Sequence, residues 1–111
     1  MKYAIGDYTR LGGPGVAIVE WDGKTYHYFT ANEAYLRYLR SLGFHDAEGA
    51  EAAFNANPSM LRGFATAAQQ AEKAGAEQVV HYETKDASRT AAVQFVARGD
   101  HAVALLIRPQ L

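Results

Sequence analysis

The chain contains no cysteine, which excludes a disulfide framework, a thiolate nucleophile and every sulfur-ligated metal site. It also lacks any block of one charge: 11 basic and 12 acidic side chains are scattered through 111 residues and leave a net charge of −1. That argues against a nucleic-acid partner, because phosphate binding draws its affinity from clustered Lys and Arg that displace counterions. No apolar run approaches the roughly 20 residues that span a bilayer. Met1 to Asp7 carry neither a long apolar segment nor a small-residue cleavage site, so the expectation is a cytoplasmic protein with no membrane association. Prolines number three, while 49% of the residues are apolar, the composition of a folded domain rather than a disordered tail. A single domain over residues 1–111 is expected, burying about two thirds of its unfolded surface.

What is present is organised around Val16 to Phe29, two β-prone runs joined by Asp22-Gly23. An Asp-Gly pair tolerates the positive φ of a tight two-residue turn. Such a turn predicts Trp21 opposite Lys24, Val19 opposite Tyr26 and Ala17 opposite Tyr28. Side chains alternate along a strand, so one face carries Ala17, Val19, Trp21, Tyr26 and Tyr28. The other carries Val16, Ile18, Glu20, Thr25, His27 and Phe29. Neither face is polar, so the hairpin is either sandwiched between layers or presents one face to a partner.

Around it, Lys2 to Tyr8 reads as a short strand and Arg10 to Gly15 as a glycine-rich connection. Thr30-Ala31-Asn32-Glu33 has the form of a capping box and opens a helix with the stripe Leu36, Leu39, Leu42. Gly43 ends that helix, with Phe44 packing back on Leu39. A second helix runs from Asp46 through Phe54. A third is capped by Asn57, begins at Pro58 and stops at Gly75; Gly63 and its alanines predict a close approach to a sheet. Strands follow at Glu77 to Glu83, Thr90 to Arg98 and His101 to Arg108, the last two joined by a tight Gly99-Asp100 turn. Ala102 to Ile107 is apolar on both sides, as a central strand is. The order β-β-β-α-α-α-β-β-β predicts an α+β fold, an antiparallel sheet with helices packed on one face and the other face left available.

Several constellations invite chemistry. Gly12-Gly13-Pro14-Gly15, beside Arg10, has the composition of a phosphate cradle, but no Lys-Ser or Lys-Thr ends it and a strand rather than a helix follows. It reads as a connecting loop. Among His27, His45, His81 and His101 no pair has the helical spacing of a zinc site, and only His81 and Glu83 share one side of an element. Their third partner would be His101 or Asp7, so no metal and no cofactor is expected. An acid–base pocket assembled from Asp7, His27, His81, Glu83 and His101, with Tyr26 or Tyr28 donating a proton, is the enzyme alternative. Arg98-Gly99-Asp100 reads as a hairpin turn rather than an adhesion tripeptide. The leading expectation is a non-enzymatic binding or protein-interaction module, a homodimer included. Its contact would be Trp21, Tyr26 and Tyr28, with Lys24 as the rim, since large aromatics dominate interface energetics. The same rings could stack the bases of a single strand, but a basic track beside them is missing.

Overall fold

The computed structural model describes residues 15–83 and 88–110. The strand expected over Lys2 to Tyr8, and most of the glycine loop, therefore lie outside the described residues. Within them the elements are β1 (Ala17–Trp21), β2 (Tyr26–Ala31), α1 (Glu33–Ser41), α2 (Ala47–Asn55), α3 (Pro58–Ala74), β3 (Gln78–Glu83), β4 (Ser88–Arg98) and β5 (Val103–Gln110). The five strands form one antiparallel sheet in the order β2-β1-β5-β4-β3. This is the expected α+β class, and β5, apolar on both sides, is the central strand.

The helix ends follow local chemistry. Asn57 Oδ1 accepts from the Met60 N–H at 3.2 Å, Pro58 takes the first helical position, and Gly75 at φ 68° closes α3. Gly43, at φ 96°, donates to the Arg40 carbonyl, and Phe44 donates to that of Leu39, both at 3.0 Å. These paired bonds satisfy carbonyls that the end of α1 would otherwise leave open. The start of α1 departs from expectation: Asn32, not Thr30, is the cap, its Oδ1 accepting from Tyr35 N at 2.9 Å and from Val16 N at 3.2 Å. The cause lies in β2. Val19 faces Tyr28 but Ile18 faces Thr30, so Phe29 is the extra residue of a bulge. Thr30 stays in the ladder as a result and cannot cap.

Both tight turns are longer than expected. Trp21 pairs with Tyr26 rather than Lys24, which leaves the four-residue turn Asp22–Thr25. Arg98 pairs with Val103, which leaves Gly99–Ala102 and puts His101 in the turn rather than in a strand. In the first case the Asp22 carboxylate takes up the N–H groups of Lys24 and Thr25, both at 2.9 Å, and they are lost to the ladder. The register moves by two residues relative to the expected pairing as far as Val19, and by three beyond it where Phe29 is the extra residue, so the membership of each face is preserved.

The three helices cover the face bearing Ala17, Val19, Trp21 and Tyr26, joined there by Val80, Ala91, Val93, Val103, Leu105 and Ile107. Helix α3 lies closest. A Cβ on Gly63 would stand 3.1 Å from Val80 Cγ1 and 3.3 Å from the His81 carbonyl, so only glycine lets the helix backbone come this near the strand. An aromatic cluster fills the layer: Tyr26 lies over Phe64 at 5.4 Å, and Trp21 meets the same ring at 5.2 Å. The opposite face is not left available as expected. Ile18, Ala92, Ala104 and Leu106 belong to it and are also buried, so the middle of the sheet is shielded on both sides. Among the described residues the exposed large apolar side chains are Phe29 and Val79, both on outer strands.

Candidate functional site

A cleft of about 200 Å³ opens where the two turns meet α3. Its origin can be traced through the register. Trp21 on β1, Val103 on β5 and Arg98 on β4 form one row across neighbouring strands, and directly paired residues point to the same face. Val103 is short and stands between two long side chains about 10 Å apart, two strand spacings. Above this notch α3 presents Ala65 and Ala68, which are too small to fill it, while Gln69 and Glu72 one turn on stand at its margin. Asp22, Gly23, His101 and Ala102 complete the walls. A second hollow, between Arg40, Gly43, Phe44 and His45, is an open surface depression without a carboxylate.

Charge in the cleft is distributed unevenly. The Arg98 guanidinium grips Glu72 in a two-pronged contact, Nε on one carboxylate oxygen and Nη2 on the other at 2.6 Å. Arg98 holds the Glu72 carboxyl below its usual pKa through that bond, and Glu72 raises the guanidinium in turn. Asp22 is held low for a different reason: the backbone N–H groups of Thr25 and Lys24 bond its ionised form. Both carboxylates are therefore charged at neutral pH, but only Glu72 has a cation against it. Among the described residues no ion pair involves Asp22.

Behind Asp22 runs a chain of polar contacts. The Thr25 hydroxyl lies 3.4 Å from Asp22 Oδ2 and 3.2 Å from His27 Nε2, and His27 Nδ1 lies 3.4 Å from a Glu51 oxygen. The other Glu51 oxygen accepts from the Tyr28 N–H at 2.7 Å. Hydroxyl, imidazole and carboxylate in this order have the form of an activated nucleophile. Acyl chemistry also needs free donors for a developing oxyanion, and the N–H groups nearest the hydroxyl, those of Lys24 and Thr25, are committed to Asp22. With His27 largely exposed, this chain of contacts links the turn to α2.

The residues expected to form sites are redistributed. Trp21 and Tyr26 are 6% and 0% exposed, so the aromatic hairpin face is core and not an open contact surface. Tyr28 is half-buried, its hydroxyl 2.7 Å from that of Tyr35. The same burial removes the rings proposed to stack nucleic-acid bases. Trp21 is a wall of the cleft, and Lys24 stands exposed in the turn beside it. The expected acid–base pocket does not assemble. Asp7 lies outside the described residues, and His27 and His81 occupy opposite edge strands, about 19 Å apart by four strand spacings. Glu83 accepts from the Ser88 hydroxyl at 2.8 Å, and its carbonyl bonds Asn57. His101 alone reaches the cleft. No group of three His, Asp or Glu side chains among the described residues is placed to hold a metal. Asp22, Glu72 and Arg98 were missed because the row that unites them depends on strand order. The one available signal was that both hairpin turns carry an Asp beside a Gly.

No protein-family model matches the chain, and no curated protein matches it in sequence.

Proposed function

We propose that this domain is a non-enzymatic binding module whose recognition surface is the turn end of the sheet, with the cleft between Trp21, Asp22, Arg98 and His101 as its pocket. One observation carries the reading: the row Trp21–Val103–Arg98 leaves a concave notch roofed by alanines, with an aromatic wall and charged groups converging on it. Concavity with a few placed polar groups is what ligand sites share. The expectation of an interaction module is retained and its surface moves from the aromatic face to the end of the hairpin. A homodimer built on Trp21 and Tyr26 loses its contact area to the core.

Trp21 is the only tryptophan, so its indole reports directly on the pocket. Titration of a fragment library should yield compounds that shift the Trp21 indole N–H resonance and the Gly23 and His101 amides together. Ala65→Leu, which places bulk in the notch, should abolish those shifts while leaving the circular dichroism of the fold intact. A library that moves none of these resonances, or shifts that survive Ala65→Leu unchanged, removes the reading.

A further inference from the structure

We infer that the pocket takes an alkylammonium group, supplied either by a lysine side chain of a partner protein or by a free amine; this rests on the binding-module reading above. Of the charged groups lining the cleft, Glu72 and Arg98 satisfy each other through both carboxylate oxygens. Asp22 is left over. Its Oδ1 is taken by two backbone N–H groups at 2.9 Å, but among the described residues Oδ2 meets only the Thr25 hydroxyl at 3.4 Å, a long and weak contact. A carboxylate whose orientation is fixed from behind and whose second oxygen is weakly engaged is a ready acceptor for a cation. Lys24, exposed in the same turn, makes no ion pair with Asp22 among the described residues.

Shape points the same way. At about 200 Å³ the cleft is smaller than the roughly 300–1,000 Å³ of drug-sized sites and suits a single side chain. Ala65, Ala68 and Val103 offer an apolar path for methylenes, and Trp21 walls it on one side. An anionic ligand would meet Asp22 and would have to detach Arg98 from Glu72. An ammonium leaves the Arg98–Glu72 pair in place.

The test compares three probes against the intact chain, read by Trp21 fluorescence and by the Trp21 indole resonance. The probes are Nα-acetyl-lysine amide, Nα-acetyl-norleucine amide, which has a comparable stem without the charge, and 1,5-diaminopentane. The lysine derivative should bind about two- to fivefold more tightly than the norleucine derivative, the effect of an exposed ion pair. Asp22→Asn keeps an oxygen for the backbone N–H groups and removes only the charge; it should weaken lysine binding about two- to fivefold and leave norleucine binding alone. Tighter binding of the lysine derivative than of diaminopentane assigns the group to a partner protein, and the reverse order assigns it to a free amine. Equal binding of lysine and norleucine derivatives, or indifference to Asp22→Asn, overturns the ammonium assignment while the pocket itself stands. If none of the probes binds but the fragment library does, the inference fails alone. If both are silent, the binding-module reading fails with it.

Discussion

Two four-residue turns close neighbouring hairpins at the same end of the sheet and hold their shape by different means. In Asp22–Thr25 a side chain organises the backbone, the Asp22 carboxylate gathering two N–H groups while Gly23 turns through φ 97°. In Gly99–Ala102 the main chain does it alone, Gly99 donating to the Ala102 carbonyl at 2.8 Å with no residue at positive φ. The closing pairs differ in the same sense. Trp21 and Tyr26 are buried beneath the helices, whereas Arg98 is exposed and held by its ion pair to Glu72. One wall of the cleft is thus anchored in the core, and the other rests on an interaction that water and salt weaken. A pocket with one fixed wall and one solvated wall can present a charge in fixed geometry and still admit a ligand.

The sharpest way to break this comparison is to exchange the closing residues for alanine. Trp21→Ala removes an aromatic packed on Phe64 and should cost about 3–5 kcal/mol, measured by denaturant unfolding followed by circular dichroism. Arg98→Ala, at the equivalent position of the other turn, should leave the unfolding midpoint within the scatter of ordinary surface substitutions. If the two variants unfold alike, the asymmetry between the walls is wrong. A smaller contrast lies in the backbone. Gly23→Ala forces a Cβ into the left-handed region with nothing within 4 Å of it, so the cost is conformational alone, about 1–2 kcal/mol. Asp100→Ala, at the second position of the other turn, should change stability by less than about 0.5 kcal/mol.

These same residues show what could be read from the sequence and what could not. Helix termini were legible because the capping chemistry is local: Asn57-Pro58, Gly75 and Gly43 act within one turn of themselves. Thr30 misled because whether it caps depends on Phe29 bulging against β1, a relation between strands. The alternation of the hairpin sorted Trp21 with Tyr26 and Tyr28 correctly. It could not say which face the helices take, since Ile18 and Val16 on the other side are equally apolar and equally buried. The cleft was illegible for a stronger reason. Trp21, Val103, Arg98 and Glu72 are spread over more than eighty positions and meet only once β5 is inserted between β1 and β4.

The next contrast separates the two roles of Asp22. Asp22→Ala removes the acceptor for two turn N–H groups that remain solvent-accessible, and should cost about 1 kcal/mol. Asp22→Asn retains an acceptor and should recover most of that loss. Equal destabilisation by the two would mean that charge, not turn geometry, is what Asp22 contributes to folding.

The smallest effect is the acid limb of stability, and it divides between the two walls. Asp22 and Glu72 both titrate below their ordinary values in the folded chain. Each therefore favours the native state above the unfolded carboxylate pKa of about 4, and that contribution is lost as pH falls through the lower folded value. The causes differ, so the responses to salt should differ. Both are lowered chiefly by hydrogen bonds, Glu72 by that of the Arg98 guanidinium and Asp22 by those of the Thr25 and Lys24 backbone N–H groups, but Glu72 also draws on the charge of an exposed guanidinium, which ions screen. Unfolding midpoints measured from pH 5 down to 2.5 should drop less steeply in Asp22→Asn and in Glu72→Gln than in the parent chain. Adding 0.5 M sodium chloride, about a 4 Å screening length, should reduce the effect of Glu72→Gln more than that of Asp22→Asn. A salt response shared equally by both variants would show that the two turns are held by one kind of force.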